Sequence, residues 1–192
     1  MADAGRVIAG SAKGVRLRAP GPRTRPLADR VKQTLFAILE PSLEGARVLD
    51  LFAGSGAAGI EALSRGAASA TFVERDPGAA SVVSANLSAA RLAESGDVVR
   101  ADVLAWLDRA AGAAPYDVVF VDPPYADLEL LGLVLERLGS VDAPVAPGAR
   151  VVAKHFWRDR PPDRIGMLAA ERDRRFGESA LTFYRREEAS AG

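Results

Sequence analysis

Asp122, Pro123, Pro124 and Tyr125 follow the run Val118 to Val121, whose branched and aromatic side chains are those of a strand buried on both faces. Each proline fixes φ and lacks an N–H, so the chain must leave the sheet there and expose the carbonyls around Asp122. Ligands of open α/β sheets bind at that carboxyl edge. The chemistry such an ending suits is transfer to an exocyclic amine, whose lone pair is delocalised into its ring. The Asp122 carboxylate and the Pro123 carbonyl can accept its two hydrogens, favour a pyramidal nitrogen and stabilise the developing cation. A carboxylate is too weak a base to deprotonate such an amine beforehand. Tyr125 offers a face for stacking a base, worth roughly 1 to 3 kcal/mol in comparable sites, and a base in structured RNA must be unstacked to reach it.

Gly54, Gly56 and Gly59 spell G-x-G-x-x-G, with Glu74 twenty residues beyond Gly54. Alone, this pattern fits a dinucleotide site, with the acid on a ribose. Asp50 just before the glycines and Asp102 further on shift the reading, because carboxylates on this side repel a pyrophosphate and attract a cation. S-adenosylmethionine carries a sulfonium and an ammonium, and its adenine amino group can donate to Asp102. A nicotinamide cofactor is the alternative, and Asp50 and Asp102 are also read as capping or loop carboxylates.

To hold these residues the chain must alternate strand and helix. Strands are expected at 47–52, 70–74, 98–101, 116–121 and 149–154, with helices at 57–65, 77–90, 103–111 and 128–138. That order implies right-handed crossovers and a parallel sheet covered on both faces. Two further strands, 168–175 and 180–185, have no helix between them and should form an antiparallel hairpin at one edge. Ahead of this domain, 6–9 and 15–18 read as a hairpin, and a helix runs from about 26 to 39. The expected division is a basic extension at 1–27, the α/β domain at 28–186 and a frayed tail at 187–192.

Of the 192 residues, 48% are hydrophobic and 26% charged, the balance of a soluble globular protein. No apolar run is long enough to span a membrane and the N-terminus does not read as a signal peptide, so a cytoplasmic protein is expected. With no cysteine and a single histidine, His155, no metal site is expected. The net charge of zero conceals an uneven distribution. Arg6, Lys13, Arg16, Arg18, Arg23, Arg25, Arg30 and Lys32 face only Asp3 and Asp29 within residues 1–32, a net +6 on an otherwise acidic chain. A basic arm suits a nucleic-acid partner. Arg158, Arg160 and Arg164 either extend that basic face or form a solvated loop, and Trp106, Trp157 and His155 read as structural.

DLFAGSGAAGIEA at 50–62, VERD at 73–76 and VDPPY at 121–125 resemble the motifs of class I S-adenosylmethionine-dependent methyltransferases acting on exocyclic amino groups. With RVIAGSAKGVRLRAP at 6–20 and TRPLADRVKQTLFAIL at 24–39, the chain from about 6 to 185 resembles the RsmD family, small bacterial enzymes that methylate N2 of a guanine in 16S ribosomal RNA. The resemblance implies a Rossmann-like, mostly parallel seven-stranded sheet with a C-terminal antiparallel hairpin, S-adenosylmethionine as cofactor and the small ribosomal subunit or its assembly intermediate as partner to a monomer. It implies that Asp50, Phe52, Ala53, Gly54, Ser55, Gly56, Glu74, Arg75, Asp102 and Val103 bind cofactor, that Asp122 to Tyr125 act on the amine, and that the arm grips phosphates. Lys154 departs from the acid expected in many relatives. A DNA adenine-N6 methyltransferase and a non-catalytic rRNA-binding assembly factor are the competing functions.

Overall fold

A computed structural model describes residues 3–21, 29–124 and 127–188. At its centre Val118, Val119, Phe120 and Val121 are each at most 4% exposed. They belong to strand β6 (Tyr116–Val121), preceded by β1 (Asp3–Arg6), β2 (Arg16–Arg18), β3 (Arg47–Leu51), β4 (Ser69–Glu74) and β5 (Gly96–Arg100), and followed by β7 (Val145–Phe156), β8 (Arg164–Ile165), β9 (Leu168–Phe176) and β10 (Ser179–Arg186). Helices α1 (Asp29–Leu39), α2 (Ala57–Ser64), α3 (Pro77–Ala90), α4 (Val103–Arg109) and α5 (Leu128–Leu138) complete the described elements.

The main sheet runs β5-β4-β3-β6-β7-β10-β9-β8. Its first five strands are parallel, and β7, β10, β9 and β8 pair antiparallel. Strand order reverses between β3 and β6, which opens a crevice at their carboxyl ends. The expected seven strands are present, and the eighth is the two-residue β8 at the edge. Side chains alternate between two cores. Val48, Phe72, Val118, Phe120, Val152 and Phe183 pack with α1, α2, α3 and the N-terminal segment; Leu49, Leu51, Val73, Val119, Val121 and Val151 pack with α4 and α5.

The N-terminal strands form a separate two-stranded sheet; the first lies at 3–6, three residues ahead of the expected 6–9, and the second, at 16–18, is one residue shorter than expected. Ile8 and Ala9 are not strand residues because their N–H groups donate to the buried carboxylate of Glu61 on α2, at 2.8 and 3.1 Å. Ser64 extends that seam, accepting from the Ala12 N–H and donating to the Ala9 carbonyl. A second clamp lies on α3. The buried Asn86 side chain accepts from the Arg18 N–H and donates to the carbonyls of Arg18 and Ser55. With every group of the amide satisfied, this burial is stabilising rather than costly. The β7 strand is longer than the expected 149–154, and no helix among the described residues is long and apolar enough to cross a membrane.

Candidate active site

A cavity of about 450 Å³ opens at the carboxyl ends of β3, β4, β6 and β7, within the size range of small-molecule sites. Asp50, Phe52, Ala53, Gly54, Ser55, Glu74, Arg75, Asp102, Val103, Asp122, Pro123 and Pro124 all line it. Gly56 does not: at φ 75° it caps α2 and turns the loop into the helix, where a Cβ would press on Val83 and Ile60 at 3.0 and 3.2 Å. Gly59 serves packing as well, since a Cβ there would lie 2.3 Å from Cε1 of the fully buried Phe72. Phe52 holds φ 62° as it leaves β3. For an aromatic residue that left-handed backbone costs about 1–2 kcal/mol, strain of the kind that gathers at functional sites.

The carboxylates differ in their surroundings. Asp50, 4% exposed, accepts from the Gly59 N–H at 2.9 Å. Burial, opposed by that hydrogen bond and reinforced by the negative charges of Asp122 and Glu74, pushes its pKa to about 8. Glu74 accepts from the N–H groups of Gly54 and Asp76, both at 2.9 Å, so it orders the glycine loop and retains a lone pair on each oxygen for a ligand. Asp102 caps α4 through the Ala105 N–H at 3.1 Å. Its other oxygen does not take part in that bond. Thus the capping reading and a place at the cavity wall hold together for Asp102.

Asp122 stands just past β6, its side chain 44% exposed, and Oδ2 accepts from Nζ of Lys154 on β7 at 2.8 Å. Sequence reasoning missed this partner, although the register of β6 on β7, Val121 opposite Ala153, puts the two residues side by side. It also missed Leu35, Phe120, Val152 and Leu181, which give one wall of the cavity an apolar surface. Leu35 comes from α1, so the helix next to the basic arm borders the cavity directly. Tyr125 lies outside the described residues.

The arm is less available than its composition suggests. Lys32 was expected to meet phosphates but is fully buried, its ammonium donating to the Arg6 carbonyl at 2.5 Å and lying 3.6 Å from Asp29. Arg6 pairs with Asp29 and Arg16 with Asp3 on the surface. Lys13, Arg18 and Arg30 are exposed. Arg23 and Arg25 lie outside the described residues.

A cavity with acids on three sides, a glycine loop and an apolar wall fits a cationic nucleoside. Among the described residues no group of three or more His, Asp or Glu side chains could hold a metal ion.

The model of the family described as conserved hypothetical protein 95 matches residues 5–185. The chain is 37% identical over 183 residues to YlbH of Bacillus subtilis, covering 94% of this chain and 98% of that one. To ribosomal RNA small subunit methyltransferase D of Escherichia coli it is 35% identical over 185 residues, covering 95% and 90%. The solved structure of the Escherichia coli protein yhhF matches with a TM-score of 0.85 at 34% identity, over 95% of this chain and 97% of that one. Such identity along nearly the whole of both chains makes this protein a member of the ribosomal RNA small subunit methyltransferase D family.

Proposed function

We propose that this chain methylates the exocyclic N2 of a guanine in 16S ribosomal RNA, with S-adenosylmethionine as methyl donor. Methylation of rRNA from this donor is the activity of the family to which the chain belongs. The observation that carries the assignment to an amine is Asp122, followed by two prolines, at the mouth of a cavity whose other acids suit a cation.

When bound, S-adenosylmethionine supplies an electrophilic methyl group on a sulfonium. The chain's own residues hold and orient. Asp50, Glu74 and Asp102 provide negative charge and acceptors for the cofactor's ammonium, ribose hydroxyls and adenine amine. Lys154 occupies Oδ2 of Asp122 and leaves Oδ1 to accept from the target amine. The Pro123 carbonyl is the second acceptor, and Tyr125 the stacking face. As the nitrogen becomes cationic on methyl transfer, the Asp122 carboxylate stabilises that charge, and the methylated amine then loses its proton to water. The protein acts as a soluble monomer on the small subunit or an assembly intermediate in the cytoplasm.

The test is transfer of labelled methyl groups from S-adenosylmethionine to 30S subunits lacking the modification, followed by nucleoside mapping. One N2-methylguanosine per subunit is expected. Labelling of duplex DNA adenine instead, or of no nucleic acid, would overturn the proposal.

A further inference from the structure

On the same sheet edge as Asp122, but on the flank away from the glycine loop, two guanidiniums lie over one indole. Arg158 and Arg175 stand 4.8 and 3.7 Å from the Trp157 ring centroid. The geometry points to a second RNA-binding site here, in which Arg158 and Arg175, held by Trp157, clamp a backbone phosphate next to the target nucleotide. The inference rests on the reading of RNA as substrate.

Three observations carry it. First, the pair is built. Arg175 also donates through Nε to the Gly177 carbonyl at 2.9 Å, and the Trp157 backbone N–H donates to the Glu178 carbonyl at 3.0 Å, so the turn is tied to the backbone that carries the ring. Stacked guanidiniums lose less freedom on binding a phosphate than free ones do. Second, the charge is uncompensated. Asp159 and Glu178 are close in sequence, but neither arginine forms an ion pair with a carboxylate among the described residues, whereas Arg160 and Arg164 both do. Like charges gathered on one ring without an acid are what an anion would relieve.

Third, the place is right. Ser179 of β10 pairs with Phe156 of β7 and with Phe176 of β9, which brings Trp157 and Arg175 to the carboxyl edge of the parallel strands. Trp157 follows Lys154, the partner of Asp122, by no more than about 10 Å of chain. On the other flank the carboxylates of Glu74 and Asp102 would repel a phosphate chain. RNA presenting a base to Asp122 is therefore steered over β7, β10 and β9, where Arg174 adds a further exposed cation.

The experiment is fluorescence anisotropy of a labelled twelve-nucleotide oligouridylate against the full chain between 50 and 250 mM salt. Removing both cations in the Arg158→Ala, Arg175→Ala double variant should weaken binding about 10-fold and lower the slope of log affinity on log salt by about 0.7, the value for one neutralised phosphate on a single strand. Trp157→Leu should weaken binding about 3-fold and leave the slope in place. An unchanged affinity and slope in the double variant, with S-adenosylmethionine binding and circular dichroism intact, overturns the site. No methyl transfer enters this measurement, so failure of the methylation assay with a normal arginine dependence would sink the reaction and spare the site.

Discussion

Nζ of Lys154 lies 2.8 Å from Oδ2 of Asp122, a cation from β7 holding the acid that ends β6. The pair is half in solvent on the Asp122 side, so its contribution to stability is small, about 0–1 kcal/mol. Its effect is on orientation: one carboxylate oxygen is fixed and the other is aimed. We predict that Lys154→Met lowers kcat about 10-fold with S-adenosylmethionine affinity within 2-fold of wild type, and that Lys154→Arg recovers part of the loss. Steady-state kinetics on 30S subunits alongside calorimetry would show it, and an unchanged kcat in Lys154→Met would remove Lys154 from the positioning of Asp122.

Asp122→Asn keeps the shape and loses the charge. Transfer should fall by about 100-fold or more, because the acceptor for the developing cation is gone, while cofactor binding persists. Wild-type turnover by this variant would refute the role given to Asp122.

Asp50 should link cofactor binding to pH. Its carboxyl, raised to about 8 by burial, is mostly protonated in the empty cavity at neutral pH. A bound cation favours the ionised form, so binding at pH 7 should release a fraction of a proton, visible as a buffer-dependent enthalpy in calorimetry. The folded pKa lies above the unfolded one, so the unfolded state holds fewer protons between about pH 4 and 8 and stability falls as pH rises through that window. Asp50→Asn removes the fall: relative to wild type its unfolding free energy should gain on the order of 4 kcal/mol between pH 5 and 8.5, at the expense of cofactor affinity. Parallel stability–pH curves for the two proteins would contradict this.

Gly59→Ala should destabilise the fold by about 2–3 kcal/mol. The new methyl meets Phe72, which is 0% exposed and has no room to retreat, and it also comes within 3.2 Å of Asp50 Oδ2. A drop in the urea midpoint with an unchanged m-value is the expected signature; a midpoint within error of wild type would show that α2 can shift away from β4.

The sheet and the cavity were legible because their signals are local. Branched runs mark β3, β4 and β6, prolines mark the exit after Asp122, and spacing puts Gly54 and Glu74 at neighbouring strand ends. What was not legible depends on pairing across the chain. Lys154 meets Asp122 only through the β6–β7 register. Lys32 carries the charge of a phosphate ligand but faces inward from α1, where the Arg6 carbonyl and Asp29 take its ammonium. Glu61 looks like an ordinary helix acid, yet at 0% exposure it accepts two N–H groups of the arm. Arg158 and Arg175, seventeen residues apart, share one indole because β9 and β10 fold back along β7.

Asn86 joins the two halves of the function. Its Nδ2 donates at 2.8 Å to the carbonyl of Ser55 in the glycine loop and at 2.9 Å to that of Arg18 in the arm, and its Oδ1 accepts from the Arg18 N–H. Removing the amide strands three backbone groups at a buried position, a loss of about 2–3 kcal/mol. Asn86→Ala should therefore lower stability by that amount, and the slack should spread both ways: S-adenosylmethionine affinity falls as Ser55 loses its anchor, and RNA affinity falls as Arg18 does. Asn86→Asp keeps the bond from the Arg18 N–H and loses both donations, so it separates the contributions. If Asn86→Ala weakens cofactor and RNA binding and Asn86→Asp restores neither, the amide donations to the two carbonyls are what hold loop and arm in register; if neither variant changes either affinity, arm and loop are positioned independently.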